Sequence, residues 1–246
     1  MQPTLAPLAK HQPFRFSCSP HVICFNACCR NLIQALTPFD VLCLKQFLNL
    51  SSGDFLNRYT EASTGPGTGL PVVSLRFSDA DDLTCPFVTD AGCRVYAARP
   101  ASCRTYPLAR GVSRDRDTGN LTEHWALIRE PHCLGFKNGH RQTVDGWVYN
   151  QQIATHNRMN DNMLALISLK NRFRPGPLMP TERKRIYTAL YDLDTFADDP
   201  FYRDRMASPP ADPRPLGRSG TSDLDLLLAA MDWVRRYLLS FSPERD

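Results

Sequence analysis

Hydrophobic residues recur at helical spacing in several parts of the chain. Val41, Leu44, Phe47 and Leu48 fall on one side of a helix that begins after Thr37. The segment TPFD at 37–40 supplies a cap, a proline suited to the first helical position and an acidic residue for the first turn. Further helices are predicted from 51 or 52 to 59, from 143 to about 170, from 181 to about 196, and, as an amphipathic final helix, over 224–238.

Shorter apolar runs between turn-forming residues predict strands. They lie at 72–77, 83–88, 93–96, 106–112 and 121–128. The segments 90–92 and 115–120 supply turns for two hairpins. Together, the helices and hairpins predict an α+β fold, in which a small cysteine-stapled unit with short strands packs with several helices.

Prolines and cysteines suggest four parts of the chain. Pro3, Pro7 and Pro13 mark residues 1–13 as a flexible arm. Residues 14–135 are the predicted cysteine-cluster domain, and residues 136–206 are a helical extension. Four prolines between 209 and 215 mark the start of 207–246, a Pro-rich linker followed by the amphipathic C-terminal helix.

Composition limits the class of function. Hydrophobic residues make up 42% of the 246 positions and charged residues 22%, as in a globular protein with a real core. The net charge of +4 comes without a run of Lys and Arg, so nucleic-acid binding is not indicated. No run reaches the roughly 18 apolar residues of a membrane span, and residues 1–13 lack the apolar centre of a secretory signal. We therefore expect a cytoplasmic protein with reduced thiols.

Nine cysteines are the most informative feature, and four of them lie within residues 18–29. An odd count without an export signal argues against a disulfide framework, and inert thiols are usually scattered. Clustered thiols in a reducing compartment favour metal ligation. Cys43 lies among apolar residues of the first predicted helix and is expected to be a buried small hydrophobe. The eight candidate ligands are Cys18, Cys24, Cys28, Cys29, Cys85, Cys93, Cys103 and Cys133.

The spacing of the cysteines leaves the metal open. It matches neither the paired cysteines of zinc fingers nor the ferredoxin runs. The number of clustered thiols and the adjacent pair Cys28-Cys29 favour an iron–sulfur cluster over Zn²⁺. Neighbouring side chains diverge in an extended segment, so these two sulfurs either serve different metals or only one of them is a ligand. The eight thiols make two four-ligand sites, or one site with spare thiols.

Two cysteine motifs in a fixed order resemble a known family. The first includes CFNACC at 24–29 and LTPFD at 36–40; the second includes CPF at 85–87, GCRVY at 92–96 and RPASCRTYP at 99–107. The chain is similar here to the YkgJ-type cysteine-cluster family of zinc- or iron-chelating domains, and residues 111–195 resemble a longer bacterial branch. The resemblance implies ligation by six cysteines: Cys24, Cys28, Cys29, Cys85, Cys93 and Cys103. Its compact first spacing differs from that around Cys18, and Cys133 is a feature of the branch.

Charged residues beside the cysteines have two interpretations. Arg30, Arg94, Arg99 and Arg104 either offset the negative charge of a thiolate-bound metal or are ordinary turn arginines. His21 and His132 flank candidate ligands, and either would replace a sulfur as His does in Rieske centres, or simply lie in solvent.

Three functions follow. The first is a metal-binding protein that holds an iron–sulfur cluster, or zinc, with a redox or accessory role. The second is a structural-zinc module that recruits an unknown protein partner through the C-terminal helix. The third is an enzyme like the flagellin lysine N-methylases, which carry a similar cysteine region, although no Gly-rich nucleotide loop follows a predicted strand.

Overall fold

The computed structural model describes residues 3–78, 83–115, 118, 120–137, 139–206 and 222–240. Among these residues, no helix is both long and apolar enough to cross a membrane. The α-helices are α1 (Pro38–Leu48), α2 (Ser52–Tyr59), α3 (Ala101–Thr105), α4 (Val144–Asn150), α5 (Ile153–Phe173), α6 (Pro180–Tyr191), α7 (Leu193–Asp198), α8 (Pro200–Met206) and α9 (Asp223–Leu239).

The strands are short and form small antiparallel sheets. They are β1 (Thr4–Pro7), β2 (Phe14–Phe16), β3 (Ala35–Leu36), β4 (Thr60–Thr64), β5 (Pro71–Leu75), β6 (Val88–Thr89), β7 (Gly92–Cys93), β8 (Leu108–Arg114), β9 (Leu121–Arg129) and β10 (His140–Gln142). The strand orders are β1-β9-β8, β10-β2, β3-β5-β4 and β6-β7. This mixture of helices and small sheets confirms the predicted α+β class.

The chain forms two compact units that alternate along the sequence. The first unit comprises the described residues of 1–32 and 77–157, and the second those of 33–76 and 158–246. This grouping differs from the contiguous parts 14–135, 136–206 and 207–246 expected from the sequence, because α1, α2 and β5 pack with the later helices α6, α7 and α9. The predicted Pro-rich linker at 207–220 lies outside the described residues.

An aromatic core organises the first unit. The Phe16 side chain is 4% exposed. Its ring meets those of Tyr106, Phe136 and Trp147 edge to face, at centroid distances of 5.7, 5.1 and 5.7 Å. Because Phe16 comes two residues before Cys18, this core fixes the point from which the first cysteine loop departs.

The helices of the second unit follow local sequence signals. A capping box between Thr37 and Asp40 begins α1, as the sequence predicts. The final helix α9 buries Leu227, Trp233 and Val234, and it contacts α6 and α7. A partner protein at this helix would therefore have to bind its other side.

The single long helix predicted from residue 143 is wrong, because the chain breaks between α4 and α5. Gln152 has a φ of 55°, which lies outside the helical region. At this break the main-chain carbonyl of Gln151 accepts a hydrogen bond from Nη1 of Arg104 at 3.0 Å. The helix predicted from 181 to about 196 is likewise divided into α6 and α7, at Asp192 with φ −102° and ψ 67°.

The predicted flexible arm at 1–13 contains a strand, and a second strand follows it. In β1, Ala6 lies opposite Leu127 of β9. In β2, Phe16 lies opposite His140 of β10. Both partner strands lie more than a hundred residues later in the sequence, so the residues around β1 and β2 do not indicate the pairing.

Gly139 lies so close to the main chain of β2 that a side chain would not fit. A Cβ atom there would be 2.2 Å from the main-chain N and C atoms of Phe16. We expect Gly139→Ala to lower the free energy of unfolding of the first unit by about 3 kcal/mol, the upper end for overpacking. Urea denaturation measures the loss. The control is Gly67→Ala, whose added Cβ meets nothing within 4 Å, and equal stability of the two variants would contradict the packing.

Candidate metal centre

All eight candidate ligands lie in the first unit. Cys43, the excluded cysteine, lies in the second unit, where it is half-buried on α1. None of the nine cysteines, all of which the structure describes, forms a disulfide. The chemistry that the sequence assigned to the clustered thiols is therefore concentrated in one compact part of the chain.

Four thiols line one small pocket. They belong to Cys18, Cys24, Cys28 and Cys133, which we call the first thiol group. Burial, and then the nearby thiols of Cys28, Cys24 and Cys133, raise the pKa of Cys18 to about 11. Thiolates crowded together in this way repel one another, and a bound cation would remove that repulsion.

Main-chain contacts bring Cys133 to the early cysteines. The N–H of Leu134 donates to Sγ of Cys24 at 3.1 Å. One residue further on, the carbonyl of Gly135 accepts from the N–H of Ser17 at 2.9 Å. A Cβ on Gly135 would lie 2.7 Å from the carbonyl oxygen of Ser17. The absence of a side chain at 135 therefore allows this close approach.

The thiols of Cys29, Cys85, Cys93 and Cys103 form the second thiol group. The pKa of Cys29 is raised by its hydrogen bond with Cys28, then by burial and by the charges of Cys28, Cys85 and Cys103. The pKa of Cys85 is raised by burial and, among its charged neighbours, by Cys93. These interactions relate Cys29 to Cys85 and Cys103, and Cys85 to Cys93.

Short pairings hold the second thiol group together. The N–H of Cys85 donates to the carbonyl of Cys29 at 2.9 Å, and an isolated bridge joins Arg30 with Thr84. The β6–β7 hairpin then places Cys93 opposite Val88. The first turn of α3 contributes Cys103, whose side chain is exposed.

Several thiols accept main-chain N–H groups. The N–H groups of Phe87 and Val88 point to Cys85, and that of Val95 points to Cys93. Cys133 receives the N–H of Gly135, as Cys24 receives that of Leu134. Burial raises the pKa values of Cys85, Cys93 and Cys133, and their main-chain donors offset part of that rise in favour of the thiolate, the form that binds metal. The donor set therefore fits a soft metal or an iron–sulfur cluster.

The adjacent pair Cys28-Cys29 lies in a 3-10 turn over Ala27–Cys29. Asn26, just before it, has a φ of 66°, a left-handed conformation that asparagine tolerates better than most residues. Its side-chain amide donates to the carbonyl of Thr89 at 3.0 Å, which ties the turn to the β6–β7 hairpin. The hydrogen bond from Cys29 lowers the pKa of Cys28 to about 7.

The thiols of each group are neighbours, but they are not arranged as the ligands of one metal ion. Within the described part of the chain, no group of three or more His, Cys, Asp or Glu side chains is arranged to hold a metal ion. The cysteines lie on loops, short turns and two-residue strands. Small adjustments of such segments are coupled to metal binding in small metal-stabilised domains.

The four arginines near the cysteines divide into two kinds. Arg30 and Arg94 are exposed, whereas Arg99 and Arg104 are 8% and 7% exposed. The Arg99 guanidinium stacks over Tyr96 at 3.7 Å from the ring centroid and donates to the side-chain carbonyl of Gln151. Burial raises the pKa values of Cys18 and Cys93, and the charge of Arg99 offsets part of that rise. Arg99 is therefore a buried cation within electrostatic reach of both thiol groups.

Arg104 holds the main chain around Cys103. Its guanidinium donates to the carbonyls of Ala97, Arg99 and Gln151. The carbonyl of Arg104 itself accepts from Nε1 of Trp147 at 3.1 Å. These contacts fix the segment that carries Cys103 against α4 and the α4–α5 break. This arginine acts as a structural clamp, which residue type alone did not distinguish from a turn arginine.

Tyr106 is a residue of the site that sequence reasoning missed. It lines the pocket with the first thiol group, and its buried hydroxyl lies beside Cys133 and Glu130. Burial, and then hydrogen bonding with Cys133, raise the pKa of Tyr106. A hydroxyl in this place can donate a hydrogen bond to a sulfur of a bound group. The only local signal was its position at the end of the RPASCRTYP motif.

The two histidines differ in position. His132 lines the pocket of the first thiol group, with Nε2 3.6 Å from Oε2 of Glu130. His21 is exposed. His132 is thus the histidine that the structure brings to the thiols.

Clustered cysteine thiols with main-chain N–H donors are the chemistry of a cysteine-rich metal-binding protein. Residues 17–133 match the model of the CxxCxxCC family, described as a putative zinc- or iron-chelating domain. The match covers the cysteine-rich part of the chain, which holds all eight candidate ligands, and agrees with the resemblance of its two cysteine motifs. No curated protein and no solved structure gives a match.

Proposed function

We propose that the chain binds iron–sulfur clusters through Cys18, Cys24, Cys28, Cys29, Cys85, Cys93, Cys103 and Cys133, and uses them in electron transfer or redox sensing. The observation that carries the proposal is the concentration of eight cysteine thiols in one unit, with Cys43 in the other. Iron–sulfur clusters take four cysteine thiolates each. A zinc protein of this size needs fewer thiols for one structural site.

The surroundings of the thiols support a redox centre. A cluster bound by four thiolates carries net negative charge, which buried Arg99 would offset. Main-chain N–H groups at Cys24, Cys85, Cys93 and Cys133 would donate to the coordinating sulfurs. Hydrogen bonds to the sulfurs, net charge and exposure are the quantities by which proteins set the reduction potential of such centres.

The test is anaerobic purification of the full chain from cells, followed by iron, acid-labile sulfide and zinc analysis and visible absorption spectroscopy. We expect iron with near-equal sulfide and a broad band near about 400 nm from sulfur-to-iron charge transfer. The band should bleach on reduction with dithionite. A colourless protein that contains zinc alone would contradict the iron–sulfur proposal.

Tyr106 gives a second readout of the same proposal. Its buried hydroxyl would donate to a sulfur of the bound group, and such a bond favours the reduced, more negatively charged state. We expect Tyr106→Phe to keep its full iron content and to lower the midpoint potential of the cluster, measured by spectroelectrochemistry. Tyr149→Phe, at an exposed tyrosine of the same unit, is the matched control and should leave the potential unchanged. A potential unaffected by Tyr106→Phe would contradict this role.

Structural zinc is the second candidate, and the short elements favour it. The strands β6 and β7 have two residues each, and the helix α3 has five. Such elements gain stability when a metal ties them together, and closed tetrahedral zinc sites do this in small domains. Zinc analysis in the purification above separates the two candidates.

A further inference from the structure

We infer that the chain builds two separate four-thiolate metal centres, the first from Cys18, Cys24, Cys28 and Cys133 and the second from Cys29, Cys85, Cys93 and Cys103. The adjacent residues Cys28 and Cys29 belong to different centres. This inference rests on the proposed metal-binding function and adds to it the number of centres and their ligands.

The first centre is defined by one pocket. The four thiols of the first group line it together, with no member of the second group. Two hydrogen bonds hold the segment of Cys133 beside the early cysteines. The N–H of Leu134 donates to Sγ of Cys24 at 3.1 Å, and the N–H of Ser17 donates to the carbonyl of Gly135 at 2.9 Å. Cys133 therefore completes a set whose other three ligands lie within eleven residues of sequence.

The second centre is defined by the strand pairings that follow Cys29. The hydrogen bond from the Cys85 N–H to the Cys29 carbonyl, at 2.9 Å, brings these two residues side by side. The β6–β7 hairpin returns the chain to Cys93. The ring of Phe25 supports the hairpin, since a Cβ on Gly92 would be 3.0 Å from it. Cys103 interacts electrostatically with Cys29.

The division falls between Cys28 and Cys29. Cys28 lines the pocket with Cys18, Cys24 and Cys133, and Cys29 does not. The carbonyl of Cys29 instead accepts the N–H of Cys85. The side chains of Cys28 and Cys29 are hydrogen-bonded to each other, so the two centres meet at this pair. The pair thereby joins two centres through a single peptide unit, and Arg99, which acts on Cys18 and Cys93, lies within reach of both.

A single centre with spare thiols is the competing arrangement, and adjacent substitutions separate the two. Cys28→Ala and Cys29→Ala change neighbouring positions of the same turn, so general damage to the turn would affect both variants alike. Two centres predict that each variant loses a different one. One centre predicts that at least one of the two substitutions removes all binding or none.

The experiment is titration of the full-length apoprotein with Co²⁺, followed by thiolate-to-cobalt charge-transfer absorption. Cobalt reports four-thiolate coordination whichever metal the cell supplies. We expect two equivalents for the wild type and one for Cys28→Ala or Cys29→Ala. Adding Cys133→Ala to Cys28→Ala should remove nothing more, whereas adding Cys85→Ala should abolish binding. Cys43→Ala, outside both groups, should keep two equivalents.

The outcomes distinguish the two proposals. One equivalent in the wild type, or loss of both equivalents in Cys28→Ala or Cys29→Ala with far-UV circular dichroism unchanged, would overturn the two-centre inference and leave metal binding intact. No thiolate–cobalt absorption in the wild type would overturn metal binding itself. If a single variant fails to fold, protection of the remaining thiols from alkylation by Co²⁺ in Cys133→Ala and Cys85→Ala gives the same assignment.

Discussion

Removal of the bound metal is expected to release the cysteine segments of the first unit while leaving the second unit folded. The segments at 17–30, 83–105 and 130–137 contain the ligands but few long elements, so their order depends on the ligand bonds. The β8–β9 hairpin is longer and packs on the aromatic core around Phe16, so it should stay protected. The helices α1, α6 and α9 carry none of the eight ligands.

Hydrogen-exchange mass spectrometry before and after anaerobic chelation measures this effect. We expect the amides of the three cysteine segments to lose protection by a factor of at least about 100, equivalent to about 2.7 kcal/mol of linked binding free energy. Peptides from α1, α6 and α9 serve as the internal control. Reloading with metal should restore protection. Equal exchange in the loaded and chelated proteins would contradict a metal-dependent unit.

The second large effect is expected at Arg104. Arg104→Met keeps much of the side-chain volume but removes the donors to the carbonyls of Ala97, Arg99 and Gln151. Hydrogen bonds from a charged donor contribute about 1.5–3 kcal/mol each, and buried carbonyls left without partners add to the loss. We expect the local free energy of opening around α3 to fall by about 3–5 kcal/mol.

Native-state hydrogen exchange of the amides at 101–114 measures the Arg104 effect. The control is Arg94→Met, since Arg94 is also next to a candidate ligand but is exposed. Its guanidinium lies 5.3 Å from the ring centroid of Phe87, and such a contact contributes less than about 1 kcal/mol. Similar losses in the two variants would show that general charge, and not the carbonyl clamp, stabilises this segment.

Elements with local signals were predictable from the sequence. The Thr37 cap and the apolar spacing that follows it gave the start of α1, and the spacing of leucines over 224–238 gave α9. The core strand over Pro71–Leu75 and the hairpin of β8 with β9 were also expected from their composition. In each case neighbouring residues in the sequence supply the determining interaction.

Elements fixed by distant partners were not predictable. Residues 4–7 form the strand β1 because they pair with the edge of β9, and the sequence of these residues does not indicate that pairing. The helical spacing of apolar residues continues across Gln152, so the sequence does not indicate the break there. The structure shows that the break leaves the Gln151 carbonyl to accept a hydrogen bond from Arg104. Likewise, burial of Arg99 and Arg104, in contrast to Arg94, depends on tertiary packing.

The candidate site shows the same division. Residue type and clustering identified the eight cysteines, and the structure concentrates all of them in the first unit. Their grouping depends on contacts between distant segments, such as that of Leu134 with Cys24 and that of Cys85 with Cys29. Spacing alone left one site and two sites equally open. Tyr106 also requires the folded pocket, because its sequence context does not reveal that its hydroxyl lies beside the thiols.

Native mass spectrometry of the anaerobically purified full chain tests the central claim most directly, because it reports the number and the identity of the bound groups in one intact protein. The account predicts a main species whose mass exceeds that of the 246-residue chain by two iron–sulfur clusters. A main species at the mass of the chain alone, or of the chain with a single bound group, would contradict it.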